Sequence, residues 1–121
     1  MKLLVTLGAV ALVASSPVRT TIAGSGHTPR INTHWPYTVR VYVSGVPARA
    51  RLTMQIVDPI GGVHPVQFGR TTKNVTNWPI KGVFRDYIIW PAESRGIRLK
   101  LRAKVVTAKG RASVTYAVVP R

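Results

Sequence analysis

Carboxylates, imidazoles and thiols are the side chains that most often carry out catalysis or bind metals, and this 121-residue chain has few of them. It has no cysteine, and its acidic and imidazole side chains are scattered along the sequence: Asp58, Asp86, Glu93, His27, His34 and His64. Paired-carboxylate catalysis, a serine triad and a zinc site each need these groups at defined spacings, and neither a nucleophile elbow nor a Glu-x-x-His motif is present. We therefore expect no enzymatic activity, no metal site and no cofactor.

Anion binding is the other chemistry that the sequence offers. Residues 97–105 alternate apolar and cationic side chains, so a strand there has one buried face and one basic face. Cations on such a face recur about every 6.6–7 Å, a spacing that can follow the repeating charges of a polyanion. The candidate polyanion-binding site continues around the next turn and comprises Arg98, Lys100, Arg102, Lys104, Lys109 and Arg111. The alternative interpretation is that these charges only keep the strand soluble and prevent edge-to-edge pairing.

Strands must position these cations, and alternating hydrophobicity predicts about seven of them. A turn at Lys109-Gly110 makes the last two strands a β-hairpin, which is the clearest element of the sequence. The predicted strands are 37–43, 49–57, 64–68, 71–76, 83–90, 97–105 and 112–119. Trp78-Pro79 and Lys81-Gly82 are expected to bound a loop. No helix is predicted, and the short strands with frequent turns indicate an antiparallel sandwich.

The shared period of two also predicts which side chains form the core. We expect a single core that includes Leu52, Met54, Ile56, Phe84, Ile88, Leu99 and Leu101. All three tryptophans precede proline, which favours strand ends or loops. We expect them to close the ends of the core, with an exposed platform for sugar stacking as the alternative.

The N-terminus has the features of a secretory signal peptide. Lys2 is followed by an apolar run from Leu3 to Ala14 and then by small residues. The run is shorter than the roughly 20 residues of a membrane span. Cleavage after Ala23 fits this pattern, and cleavage after Ser15 is the alternative. The expected organisation is a signal peptide over 1–23, a flexible lead over 24–34 and one domain over 35–121, with no membrane span left after leader removal.

The balance of charged residues indicates which class of partner to expect. The chain has 18 Lys and Arg against 3 Asp and Glu, which gives a formal net charge of +15. Such an excess favours solubility and non-specific attraction to polyanions. Because the chain has no cysteine, an exported domain of this kind must be stabilised by its core alone.

The segment 43–52, VSGVPARARL, joins an alternating strand to a Gly-x-Pro turn and to small residues that lead into the next strand. It resembles the turn of bacterial immunoglobulin-like domains, and the stretch from Trp35 to Val119 is similar to exported actinobacterial proteins that carry a lone domain of this kind without an assigned function. The resemblance implies an all-β, antiparallel immunoglobulin-like β-sandwich of about seven strands. By analogy with that fold, the loops 58–62, 77–82 and 107–111 are expected to share one end of the domain.

The expected function is a non-catalytic binding or structural module, secreted or held in the cell envelope. The expected partner is an anionic cell-wall polymer or another envelope protein. Non-specific nucleic-acid or polyanion binding through the basic strand face is the alternative. Nucleic acid is disfavoured because no helix-turn-helix, zinc finger or RNP-type motif is present and the leader directs the chain out of the cell. The ligand and the oligomeric state stay open.

Overall fold

The computed structural model describes residues 16–121, and residues 1–15, which include most of the predicted leader, lie outside it. The described part is built from strands and one short 3-10 turn at Ala92–Ser94. Nine strands lie within it, in chain order: β1 (Val18–Gly24), β2 (His34–Val43), β3 (Val46–Pro47), β4 (Arg49–Val57), β5 (Val63–Pro65), β6 (Trp78–Lys81), β7 (Val83–Ile89), β8 (Leu99–Thr107) and β9 (Gly110–Val118).

The strands follow one antiparallel hydrogen-bonded path that bends into two layers. Its order is β1-β2-β7-β6-β4-β8-β9, with β3 paired to β2 and β5 paired to β4. The link between β6 and β7 is the single pair Lys81↔Val83, so the path turns a corner at Gly82. Gly82 has a φ of 78°, which glycine adopts without the steric cost that a side chain brings. The layer β1-β2-β7 thus lies on one side of the corner and the layer β5-β4-β8-β9 on the other.

Alternation places the core between these layers, as the sequence predicts. On β8, Leu101 and Ala103 are fully buried while Lys100 and Lys104 are exposed. The buried cluster draws residues from both layers, and Ile56 and Phe84 pack partly buried against it. The predicted core residues Leu52, Met54, Ile88, Leu99 and Leu101 are all members of the cluster. The all-β, antiparallel architecture is confirmed, and it is consistent with a β-sandwich.

Strand β1 falls within the predicted leader, just after the alternative cleavage point at Ser15. It pairs with β2 over its whole length, from Val18↔Val43 to Gly24↔Tyr37. Val18 and Thr20 are buried, and the Thr20 hydroxyl donates a hydrogen bond to the carbonyl of Arg40. A Cβ at Gly24 would collide with the Trp35 indole, so only glycine fits this close approach.

The predicted flexible lead, 24–34, is hydrogen-bonded to the end of the chain. The amide of Val119 donates to the carbonyl of His27, and the amide of Arg121 donates to the carbonyl of Pro29. The amide of Ile31 donates in turn to the carbonyl of Arg121. These backbone groups of the lead therefore have hydrogen-bond partners in the C-terminal segment.

Three local predictions were wrong. The segment 71–76 forms no strand, because its backbone hydrogen bonds give a turn and the isolated bridge Gln67↔Asn74 rather than a continuous ladder. The segment Trp78–Lys81, expected in a loop, is β6, because it pairs with the first half of β4. The predicted strand 64–68 is the shorter β5, Val63–Pro65. The pairing of each of these short segments depends on a distant strand more than on local pattern.

Two of the three tryptophans close the core, as expected, and the third is partly exposed. Trp35 and Trp90 are buried and meet edge to face with ring centroids 5.7 Å apart, which closes one end of the core. Trp78 is 37% exposed, contacts Phe68 edge to face, and has the Lys73 ammonium 5.1 Å from its ring centroid. The peptide bonds of residues 16–121 are all trans.

The predicted grouping of loops at one end was wrong for the turn 58–62. β4 runs from Arg49 to Val57, and Arg51 pairs with Val106 while Val57 pairs with Lys100. The turn after β4 is therefore at the opposite end of the sheet from the β8–β9 turn, because adjacent strands are antiparallel.

Candidate anion-binding face

The predicted row of cations lies on the outer surface of the layer β5-β4-β8-β9. Lys100 and Lys104 are exposed, and Arg102 between them is half-buried. Arg98 is exposed immediately before β8, and Lys109 is exposed in the β8–β9 turn. The structure thus brings Lys100, Arg102 and Lys104 to one surface, whereas Arg98 and Lys109 lie outside the strands that form it.

Neighbouring strands extend this row into a surface four residues long and three strands wide. We define the basic face by the cross-strand triplets Arg51, Val106 and Arg111; Thr53, Lys104 and Ser113; Gln55, Arg102 and Thr115; and Val57, Lys100 and Ala117. Every triplet contains at least one cation, and none contains a carboxylate. Side chains directly opposite in such triplets have Cβ atoms about 4.5–5.5 Å apart, so the hydroxyl and amide groups lie beside the cations.

The basic face has no acidic partner within residues 16–121. Within the described residues, the ion pair joins His64 Nε2 to Asp58 Oδ2 at 2.9 Å, away from the basic face, and it involves neither lysine nor arginine. Asp86 accepts hydrogen bonds from the amide of Gly69 at 3.0 and 3.2 Å, and Glu93 lies in the 3-10 turn. The positive charges of the face are therefore left to solvent and to ligands, which raises the local concentration of anions.

Hydrogen bonds within the face hold some of its donors in place. The Arg102 guanidinium donates through Nε at 3.0 Å and Nη2 at 2.7 Å to the Gln55 Oε1. Arg51 Nη1 donates to the carbonyl of Asn77 at 3.1 Å. An arginine fixed in this way has lost part of its rotamer freedom before any ligand arrives, which reduces the entropic cost of binding.

Sequence reasoning missed the contributions of β4 and of the segment before β6. Arg51, Thr53 and Gln55 alternate with buried residues, which predicts a polar outer face for β4. Nothing in the sequence indicates that this face adjoins the cations of β8. For Asn77 the sequence gives still less indication, because its backbone bonds to Thr53 and Arg51 depend on a tertiary contact.

The opposite layer provides a comparison. Its outer surface also carries arginines, namely Arg19 on β1, Arg40 on β2 and Arg85 on β7. Three cations lie there on three strands, whereas the twelve residues of the basic face include five. The basic face thus holds more cations than β1, β2 and β7 carry together.

Away from the basic face, Asp58 and His64 have a local structural role. Asp58 Oδ1 accepts hydrogen bonds from the amides of Ile60 and Gly62, which closes the turn after β4. The hydrogen bond from His64, followed by that from Gly62, holds the pKa of Asp58 below its ordinary value. Residues 16–121 contain no cluster of three or more His, Cys, Asp or Glu side chains with the proximity of metal ligands.

Comparisons with known proteins assign no family to this chain. A scan against protein-family models gives no match, and a search of curated proteins gives none either. Residues 16–121 contain no helix with the length and hydropathy that a membrane crossing requires.

Proposed function

We propose that this protein is an exported, non-catalytic binding module that holds an anionic polymer of the cell envelope or extracellular space on its basic face. The observation that carries the proposal is the concentration of five cations on one sheet surface without a carboxylate among its twelve residues. Hydroxyl and amide side chains between the cations add hydrogen-bonding groups suited to a polymer that bears hydroxyls as well as charges.

We propose further that the domain is immunoglobulin-like. The order β1-β2-β7 in one layer and β5-β4-β8-β9 in the other supports this, because it parallels the A-B-E and C′-C-F-G orders of that fold. β1 also lies beside β9, with Val18 close to Gly110 and the Tyr116 hydroxyl 3.5 Å from the carbonyl of Gly24. The pairing of β6 mainly with β4 departs from the usual pattern.

Export rests on the predicted leader, and β1 favours the earlier cleavage point. Removal of residues 1–23 would delete six of the seven residues of β1, including the buried Val18 and Thr20. Cleavage after Ser15 keeps the whole strand, together with the hydrogen bond from the Ser44 amide to the carbonyl of Pro17. We therefore propose a mature chain that begins at Ser16.

Salt-dependent binding tests the basic face. The test variant replaces Lys100 and Arg102 of the basic face, together with Arg98 just before β8, by Gln. The slope of the logarithm of the affinity for an acidic polysaccharide or polyol phosphate against the logarithm of salt concentration should fall by about three, roughly one for each lost contact. The matched control replaces Arg19, Arg40 and Arg85 of the opposite layer by Gln and should leave that dependence nearly unchanged. Affinity is measured by fluorescence anisotropy of the labelled polymer across a salt series.

If the two triple variants weaken polymer binding equally, only net charge matters, and the basic face is not a specific binding site. Duplex DNA is included at the same ionic strengths. Tighter binding to DNA than to either envelope-type polymer would favour the alternative function of a nucleic-acid binder.

A further inference from the structure

A recess of about 360 Å³ lies at one end of the basic face, where β4, β8 and β9 meet. Thr53, Lys104 and Ser113 line it and form one cross-strand triplet. Arg111, one step along on β9, and Asn77, from the segment before β6, complete the polar part of its wall. Two cations, two hydroxyls and one carboxamide therefore line a space large enough for a small anionic group.

Asn77 lies at this recess in the left-handed backbone conformation. Its φ is 48°, a region that asparagine adopts more readily than most residues with a Cβ. Its amide donates to Thr53 Oγ1 at 3.0 Å, and its carbonyl accepts from Arg51 Nη1 at 3.1 Å. Both backbone groups are thus occupied by the protein, which leaves the carboxamide to a ligand.

The same hydrogen bond prepares the Thr53 hydroxyl as a donor. Because Thr53 Oγ1 accepts from the Asn77 amide, its own proton is free to point elsewhere. Ser113 supplies a second hydroxyl directly opposite Lys104. Neither Lys104 nor Arg111 has a carboxylate within ion-pair distance in residues 16–121. The recess therefore presents donors and positive charge, which is the complement of an oxyanion.

We propose that this recess binds a single tetrahedral oxyanion, the phosphate or sulfate ester group of the polymer, as a specific subsite of the basic face. The inference rests on the proposed function and names the chemical group that the face recognises. The Arg111 guanidinium can donate two parallel hydrogen bonds to such a group, and Lys104 adds a point charge. The Thr53 and Ser113 hydroxyls and the Asn77 carboxamide supply shorter-range donors to its remaining oxygens.

The polymer can continue past this subsite. A second recess of about 420 Å³, lined by Arg49, Arg51 and Thr107 among others, shares Val106 with the first. Val106 is 45% exposed between the two, and an apolar side chain there suits the C–H face of a sugar or polyol. Side chains on one face of a strand are two residues apart in sequence and about 6.6–7 Å apart in space, so successive cation-lined positions along the face have this spacing.

The test titrates inorganic phosphate, and separately sulfate, into the 15N-labelled domain and follows backbone amide shifts by NMR. In the parent protein, the saturable shifts should concentrate at Asn77, Lys104, Arg111 and Ser113. Arg111→Gln should raise the dissociation constant about tenfold, because it removes a charged hydrogen-bond donor. Asn77→Gly should weaken binding by a smaller factor while the fold is kept, because glycine adopts the positive φ without strain. Arg85→Gln on the opposite layer is the charge-matched control and should leave the constant unchanged.

Shifts spread evenly over all basic residues, or equal weakening by Arg111→Gln and Arg85→Gln, would overturn the subsite. Its failure is distinguishable from that of the proposed function, because the variant of Arg98, Lys100 and Arg102 leaves the recess intact. Polymer binding that depends on that triple but not on Arg111 would overturn the subsite alone. Localised phosphate binding without any polymer binding would overturn the proposed function alone. Tighter binding of phosphate or of sulfate supports the subsite and identifies the ester that it prefers.

Discussion

At the scale of single residues, Tyr37 combines deep burial with an unpartnered polar atom. The side chain is 2% exposed, and its hydroxyl has no hydrogen-bond partner within residues 16–121. Burial raises the pKa of Tyr37 well above its ordinary value, and the Asp86 carboxylate on the paired strand adds to the increase. The aromatic ring fills the core beside Trp35 and Phe84, so the hydroxyl is the costly part of the residue.

We expect Tyr37→Phe to raise the free energy of unfolding by about 1 kcal/mol at neutral pH, because the variant no longer buries an unpaired hydroxyl. The effect should grow in alkali. Above a pH of about 10 the unfolded phenol loses its proton while the folded phenol keeps it, so the parent protein loses stability as pH rises. Urea denaturation at neutral and alkaline pH measures both effects, with Tyr42→Phe, at a half-exposed position, as the control. A loss of stability in Tyr37→Phe at neutral pH would contradict this account.

At the scale of elements, β8 is central to both the core and the basic face. It pairs with β4 on one side and β9 on the other, so every inward residue is covered and every outward residue has two cross-strand neighbours. Leu101 is fully buried, while Arg102, the next residue, is half-buried and bonded to Gln55. Adjacent residues of one strand thus serve stability and binding separately.

We expect Leu101→Ala to lower the free energy of unfolding by about 2–5 kcal/mol, because the lost side chain leaves a cavity in a packed core. Arg102→Ala should cost about 1 kcal/mol, the scale of a single hydrogen bond near the surface. Chemical denaturation of the two variants checks the order. A larger loss for Arg102→Ala would mean that the faces of β8 are the reverse of those described.

At the scale of the whole molecule, β1 connects the first described residues to the C-terminal segment. It pairs with β2 and lies beside β9, while the segment after it is hydrogen-bonded to residues 119–121. The two ends of the strand path are thereby brought together. Loss of β1 would uncover the edge of β2 and the adjoining core.

We expect a chain that begins at Ser16 to fold cooperatively and a chain that begins at Gly24 to be less stable by more than about 2 kcal/mol, since burial of Val18 alone contributes on that scale. Thermal and urea denaturation of the two chains gives the comparison. Mass spectrometry of protein secreted by its natural host should find the first residue at Ser16. A host-produced chain that begins at Gly24 and unfolds at the same denaturant concentration as the longer one would disprove the assignment of β1 to the mature domain.

The sequence by itself determined the faces of the long strands. Burial of alternate residues is a local property, so 49–57 is predicted with its final bounds and Leu101 and Lys100 are assigned to opposite faces. The same period predicts most of the core and the cationic row of β8. The excess of positive charge also follows from the sequence alone, because net charge depends only on which residues are present.

Only the tertiary structure decided which strands are neighbours. Arg51, Thr53 and Asn77 join the cations of β8 because β4 pairs with β8 and the segment before β6 is held against β4. Such pairings join residues about fifty positions apart, and their register depends on the packing of the whole core rather than on any local pattern. The same reason explains why the sequence predicts a loop at β6 and part of a leader at β1. Each segment forms a strand because its backbone is hydrogen-bonded to a strand elsewhere in the chain.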